Sequence, residues 1–455
     1  MKITGVILAA GKGTRMRSAI PKVLHPLAGK PIVWYPIEVT RQVTGHKPVL
    51  VIGYGAEAVR QAVGEAADYA FQEPQLGTGH ALTQVELILR GNTDFILVVT
   101  ADMPLFTSET LSQVIQTHSG SQASGNPAPI TILTLITDDP SDFGRVLRDR
   151  DGKVLGIVEE ESATPEQLTR NELNTSVYCL NADWLWEALP RIPLSPKGEY
   201  YLTDLVGVAV SDGRMVESVT IRDASQAIGI NNRVQLAEAE AVMRRRINQA
   251  WMLAGVTLID PGSTFIESDV KIGEDTVIWP NTYLHGSTQV GKGCVLGPNS
   301  ILRDTQIGNH CRVLASVTDR AILEDEVEIG PFARLRKGAH LGQGVHMGNF
   351  GEVKNSYLGP GTKMGHFSYL GDTTTGPGVN IGAGTITCNY DGVRKHPTEI
   401  GADAFIGSDT MLVAPVKVGD GSVTGAGAVV TKDVPPNTLA VGMPARAIRK
   451  LVKRD

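Results

Sequence analysis

The sequence has 455 residues, about three times a ~150-residue domain, so two or three domains are expected. Hydrophobic residues at 42% and charged residues at 20% exclude a mostly disordered chain. The formal charge, 42 − 48 = −6, argues against a basic nucleic-acid binder.

The chain opens with the apolar run ITGVILAA (3–10), which reads as a strand ending in a glycine loop. KPVLVIG (47–53) and DFILVVTAD (94–102) are similar short runs. Helix-like segments lie between them, at 56–66 and 79–89. Continuous apolar strands alternating with helices predict a Rossmann-like α/β domain with a mainly parallel sheet, over residues 1–230.

The first strand runs into Leu8, Ala9, Ala10, Gly11, Lys12 and Gly13. Gly11 and Gly13 let backbone N–H groups approach an anion without a Cβ in the way. No GK[ST] follows, so this is not a Walker loop, and Met16 stands where a dinucleotide fingerprint needs its third glycine. Arg15 ends the loop as a fixed cation, Lys22 follows in PKVL, and Asp102 closes a later strand. In open α/β sheets such strand ends meet phosphates. Asp102 is therefore the candidate ligand for Mg²⁺, a hard cation that takes oxygen ligands and keeps several waters.

Residues 231–254 contain neither proline nor glycine, and Val234, Ala237, Ala241, Ile247 and Ala250 roughly follow helical spacing. Asn231 or Asn232 can cap the start and Gly255 the end, which predicts a long linker helix.

Glycine changes density at this point: 20 in residues 1–250 (8%) against 30 in 251–455 (about 15%). In residues 255–455 an aliphatic residue before Gly recurs at Val290, Leu296, Ile307, Ile329, Leu341, Met347, Leu358, Met364, Leu370 and Ile381. It continues at Ile400, Ile406 and Val418, with Thr424 in the aliphatic place. Steps of 6 and 12 dominate, the period of a parallel β-helix. Three six-residue faces make one triangular coil, every sixth residue points into the same interior column, and many coils must stack to bury it. The insert at 388–398 breaks the count by one residue and is expected to project as a loop.

Chemistry-bearing residues cluster where the repeat is interrupted. Arg336 lies in PFARLRK (331–337), Lys354 ends NFGEVK (349–354), and His366 and Tyr369 sit in MGHFSYLG. Proton transfer needs a base, and an anionic substrate needs cations and hydroxyl donors. His366 can be a base, and Arg336, Lys354 and Tyr369 can hold an anion. His340 and His346 lie nearby without a metal triad and read as non-catalytic. Cys179, Cys294, Cys311 and Cys388 form no CxxC and read as reduced thiols. No apolar run approaches the ~18 residues that cross a bilayer, and the run at 6–10 is too short for a signal-peptide core. A cytoplasmic protein with no membrane or nucleic-acid partner is expected.

LAAGKGTRM, PKVL, QLGTGHA (75–81), GEYYLTD (198–204) and GINNR (229–233) resemble nucleotidyltransferases that join a nucleoside triphosphate to a sugar 1-phosphate. With the β-helix behind them, nearly the whole chain resembles the bifunctional N-acetylglucosamine-1-phosphate uridyltransferases / glucosamine-1-phosphate N-acetyltransferases. The resemblance implies a left-handed coil, a homotrimer, UTP and acetyl-CoA as co-substrates, and Mg²⁺. It implies Lys22 and Arg15 as catalytic cations and Asn231 as the second metal ligand beside Asp102. It puts Leu8, Ala9, Ala10, Gly11 and Lys22 against the UDP-sugar, together with Asn231. Gln72, Gly77 and Thr78 then fall near uracil and ribose, and Gly144, Glu159 and Asn174 at the sugar. In the acetyl site it assigns the roles of His366, Arg336, Lys354 and Tyr369 and adds Asn380, Asn389 and Tyr390 at the sugar. Ala383, Ser408, Ala426 and Arg446 follow acetyl-CoA. The chain departs from the family at Ala101, where a glycine commonly precedes the aspartate. Two other readings stand beside this one. They are a single-activity pyrophosphorylase whose β-helix only oligomerises, and a β-helix scaffold carrying an inactive nucleotide domain.

Overall fold

Continuous apolar strands need cover on both faces, and the first half of the chain supplies it with helices. A computed structural model describes residues 1–122, 127–138 and 143–450. The chain divides into two compact units, Met1–Met243 and Arg244–Asp455.

In the first unit one sheet runs, in spatial order, Val216–Ile221, Ile130–Ile136, Glu172–Asn181, Phe95–Thr100, Ile3–Ala9, Val49–Ile52 and Asp68–Phe71. Ile3–Ala9 lies parallel between Val49–Ile52 and Phe95–Thr100. Strand order reverses there, and the carboxyl ends of these strands open a crevice. The sheet is not parallel throughout: Glu172–Asn181 runs antiparallel to both of its neighbours. The paired strands Arg145–Arg148 and Val154–Val158 extend it. The helix-like segment 79–89 is in fact two pieces, Gly77–Thr83 and Glu86–Leu89.

The long helix spans Arg233–Leu253. Asn232, not Asn231, caps it, since its Oδ1 accepts from the N–H groups of Val234 (2.9 Å) and Gln235 (3.0 Å). Gly255, at φ +90°, follows its end. Val234 is 67% exposed, so the apolar spacing misjudged the buried face, which carries Ala239 and Met243 instead.

The second unit stacks three sheets of 12, 10 and 9 strands, parallel except for the last strand of the 12, as the sides of a left-handed β-helix. All fourteen residues of the aliphatic–glycine repeat are buried, none above 6% exposed, which shows them in interior columns. Register partners such as Ile278 and Leu296, Met347 and Met364, or Val313 and Ile329 set coils of 18, 17 and 16 residues. The coil with the insert is longer: Ile381 pairs with Ile406, 25 residues on. The one-residue excess read from the sequence is thus too small. Counting from Ile381 to Ile400 had passed from one side of the prism to another. Cys294 and Cys311 occupy neighbouring rungs, and all four cysteines are free. At one end of the 12-stranded side, Thr438–Gly442 is paired antiparallel by Ala445–Lys450.

Candidate active sites

In the first unit a cavity of about 590 Å³ opens at the strand ends. Leu8, Ala9, Ala10, Gly11, Lys22, Gln72, Gly77, Thr78, Asp102 and Glu159 line it, ten of the expected residues from five separated stretches of chain. Lys22 comes from the short helix Lys22–Leu24, which folds back onto the glycine loop. At Gly13, with φ +61°, a Cβ would stand 2.6 Å from that of Lys22, so only glycine admits the lysine.

Lys22 Nζ donates to Asp102 Oδ2 (2.6 Å) and to Asn231 Oδ1 (3.2 Å). Asn231 is brought there by a backbone bond from the Ile230 N–H to the Asp102 carbonyl (2.9 Å). Burial pushes the Asp102 carboxyl up, but the Lys22 ammonium and further hydrogen bonds outweigh it and hold the group below the usual range. A carboxylate and an amide oxygen, already facing a positive group, are donors that fit Mg²⁺, which needs few protein oxygens. Among the described residues no larger His, Cys, Asp or Glu cluster could hold a metal.

The part of the cavity expected to take uracil and ribose rests on two loops. Gln72 is buried and donates to the Gly77 carbonyl (2.9 Å). Gly77 has φ +95°, and a Cβ there would meet the Tyr200 carbonyl at 2.6 Å. Thr78 Oγ1 accepts from the Leu202 N–H (2.9 Å), so QLGTGHA is pinned to GEYYLTD.

At the end expected to take the sugar, Glu159 Oε1 accepts from Thr203 (2.8 Å). Burial and the Asp204 charge raise the Glu159 carboxyl, against the Thr203 hydrogen bond. Gly144 and Asn174 stand beside the cavity rather than lining it. The Asn174 N–H donates to the Gly144 carbonyl (2.9 Å), and Asn174 Nδ2 donates to the buried Tyr178 phenol (2.8 Å). Arg15, exposed on the helix Thr14–Met16, is not brought to the cavity lining. Among the residues missed here that also line the cavity are Ser176, Tyr178, Tyr201 and Thr203. The last two lie inside a motif already noticed, so that motif was the available signal.

In the β-helix, register sorts the acetyl-site residues into rows. Lys363 pairs with Asn380, and Asn380 with Phe405, which in turn pairs with Val423. Three positions after each of Lys363, Asn380, Phe405 and Val423 stand His366, Ala383, Ser408 and Ala426. These four therefore share one corner of the prism on successive coils. His366, Ser408 and Ala426 are exposed. Along the next side, Lys354 pairs with Gly371 one rung from Tyr369, and Arg336 Nη1 donates to Glu352 (2.9 Å). Lys395 and, to a smaller extent, Arg336 hold the Lys354 ammonium below the usual lysine range, a sign of crowded positive charge. Lys395 was missed because it lies in the insert, where no period points to it. Asn389 Nδ2 donates to Asp372 (2.5 Å), and Tyr390 is 61% exposed. Arg446 is exposed on the terminal strand. His340 and His346 each meet a glutamate, Glu324 (2.8 Å) and Glu328 (3.3 Å), so each has an acidic partner but no triad.

A crevice at a topological switch point, lined by a glycine loop, Lys22 and Asp102 and joined to a hexapeptide β-helix, defines a nucleotidyltransferase coupled to a second transferase. A family model described as nucleotidyl transferase matches residues 4–255, and one described as bacterial transferase hexapeptide matches residues 269–304 and 397–432. "Bifunctional protein GlmU" of Heliobacterium modesticaldum is 47% identical over 441 residues, 97% of this chain and 95% of that protein. The protein of that name from an Exiguobacterium species is 44% identical over 442 residues, 97% of each chain. The one from a Geobacillus species is 43% identical over 451 residues, 99% of this chain and 97% of its own. The chain belongs to the GlmU family, the bifunctional uridyltransferases and N-acetyltransferases of UDP-N-acetylglucosamine synthesis. Neither the single-activity reading nor the scaffold reading fits this membership.

Proposed function

We propose that the β-helix first acetylates glucosamine 1-phosphate and that residues 1–230, continued by the helix of 231–254, then uridylylate the product. In the first reaction the sugar amine attacks the thioester carbonyl of acetyl-CoA. His366 takes the ammonium proton, and the coenzyme leaves as a thiol. Arg336, Lys354 and Tyr369 hold the phosphate, with Asn380, Asn389 and Tyr390 at the sugar ring. Ala383, Ser408 and Ala426 are small, so their shared corner gives acetyl-CoA an extended track leading to His366, with Arg446 at its far end.

In the second reaction a phosphate oxygen of N-acetylglucosamine 1-phosphate attacks the α-phosphorus of UTP, and pyrophosphate leaves. Lys22 neutralises charge at the phosphates, and Arg15 meets the outer ones from solvent. The Gly11 backbone faces the phosphate, Gln72, Gly77 and Thr78 hold uracil and ribose, and Glu159 with Asn174 and Gly144 orient the sugar. Asp102 and Asn231 would hold Mg²⁺, which when bound supplies charge neutralisation and alignment of the reacting oxygens.

A convex prism gives a long cofactor little enclosure, and ligand sites are concave. A homotrimer with acetyl sites between prisms would supply the concavity. No helix among the described residues is long and apolar enough to cross a membrane, and the proposed setting is the cytoplasm, where UDP-N-acetylglucosamine feeds cell-wall synthesis.

The observation that carries the acetyl reading is the row that ends at His366. His366→Ala should lower thiol release from acetyl-CoA with glucosamine 1-phosphate by ~10²–10⁴-fold, the usual share of a general base. Pyrophosphate release from UTP should stay within about twofold. Unchanged thiol release would remove His366 from the site.

A further inference from the structure

The insert carries three residues of the acetyl site, and one side chain holds the insert together. The chain leaves the strand Ile386–Cys388 and returns at Thr398–Ile400. Between them it must place Asn389, Tyr390 and Lys395 with no interior column to guide it. Asp391 answers with both carboxylate oxygens. Its Oδ1 accepts from the N–H groups of Val393 (2.7 Å) and Arg394 (2.6 Å), and its Oδ2 meets His396 Nε2 (2.6 Å). Its own N–H donates to the Arg394 carbonyl (3.1 Å), and the His396 N–H donates to that of Asn389 (2.8 Å).

These bonds fold the insert into a small hairpin in which Tyr390 and Lys395 are antiparallel bridge partners. Lys395 and His396 line a cavity of about 550 Å³ together with Asn355 and Asp372, beside the rung that holds Lys354. The bonds from Arg394, His396 and Val393 also keep the Asp391 carboxyl far below the usual range, so it stays ionised wherever the enzyme works.

We propose that Asp391 is a positioning residue for acetyl transfer, fixing the hairpin that presents Lys395 to the phosphate and Tyr390 to the ring of the amino-sugar substrate. The proposal rests on the acetyl-site reading above. It assigns Asp391 no contact with the reacting atoms, so its loss should weaken the anchoring of the sugar phosphate and leave the chemistry at His366 standing. The weight of one or two charged hydrogen bonds corresponds to about ten- to hundredfold.

Steady-state kinetics on the full chain test this. Asp391→Ala should raise the KM for glucosamine 1-phosphate about ten- to hundredfold. It should raise the inhibition constant of inorganic phosphate in step, and leave the KM for acetyl-CoA and uridylyl transfer within about twofold. Asp391→Asn keeps an acceptor for the two backbone N–H groups and should fall between wild type and Asp391→Ala. Lys395→Ala should match Asp391→Ala, and the double variant should be no worse than either, because both remove one anchor. A loss confined to kcat, an unchanged KM, or additive losses would overturn the proposal. If Asp391→Ala melts early, the KM of Asp391→Asn decides. A wild-type chain that releases no thiol with glucosamine 1-phosphate would instead defeat the acetyl-site reading itself.

Discussion

In the nucleotidyltransferase unit, strand ends converge on a cavity of about 590 Å³, and Lys22 is already paired with Asp102 there. Along the β-helix the site residues stand on the outside of a prism, and Lys354 is crowded by Lys395 and Arg336. An open twisted sheet makes a crevice of its own wherever strand order reverses. A stack of triangular coils has only corners and sides to offer. On the proposed reading the first unit holds both reactants within one chain, whereas the second borrows another copy's surface to close over its cofactor.

The sharpest way to break this contrast is Asp102→Ala. It should lower uridylyl transfer ~10⁴-fold or more, since a metal clamp supplies several kcal/mol. Acetyl transfer, read as thiol release, should stay within about twofold. Equal loss of both activities in a folded protein would mean that the two sites do not work separately.

A second experiment asks whether the β-helix site is shared between copies. Chains carrying His366→Ala should be mixed with chains carrying Arg446→Ala, each nearly inactive alone. Random exchange in a trimer should restore about a quarter of wild-type acetyl transfer, the fraction of interfaces pairing two intact residues. No recovery after confirmed exchange would put His366 and Arg446 in one chain's site.

The smallest effect concerns Glu159. Its carboxyl is raised by burial, so the folded protein binds this proton more tightly than the unfolded chain does. Ionised Glu159 therefore costs stability above its folded pKa, and that cost fades as the pH falls through it. Glu159→Gln should melt about 2–4 °C higher than wild type at pH 8, and the gain should shrink at pH 5. The KM for the sugar phosphate should rise about tenfold at the same time. A gain independent of pH would show that the charge is not the cause.

Period made the β-helix legible. Leu296, Met347 and Ile406 announce interior columns because each faces inward at a fixed step, and nothing else in the chain competes with that pattern. Asp102 could be picked out by its place at a strand end. That Lys22 bridges it to Asn231 could not, because the link runs through a backbone bond from Ile230 formed only in the folded chain. Asn231 and Asn232 look alike in sequence, yet one accepts from Lys22 and the other caps a helix. Tyr178 reads as a strand residue, and only the sheet reveals that its phenol receives Asn174. Lys395 sits where the period stops, which is also why the length of its coil was misjudged.

The terminal hairpin has a further consequence. A stack of parallel strands has no natural end, because each new rung leaves an unpaired row of N–H and C=O groups that would accept another. Fibres grow by that geometry. Here Ala445–Lys450 doubles back on Thr438–Gly442 and closes one side against the direction of growth. Its exposed Arg446, Arg449 and Lys450 set like charges along the outermost edge. The strand proposed to offer Arg446 to acetyl-CoA thus also keeps the prism finite. Cutting it away would remove a ligand and a stopper together, and only side-chain replacement in place can separate solubility from catalysis.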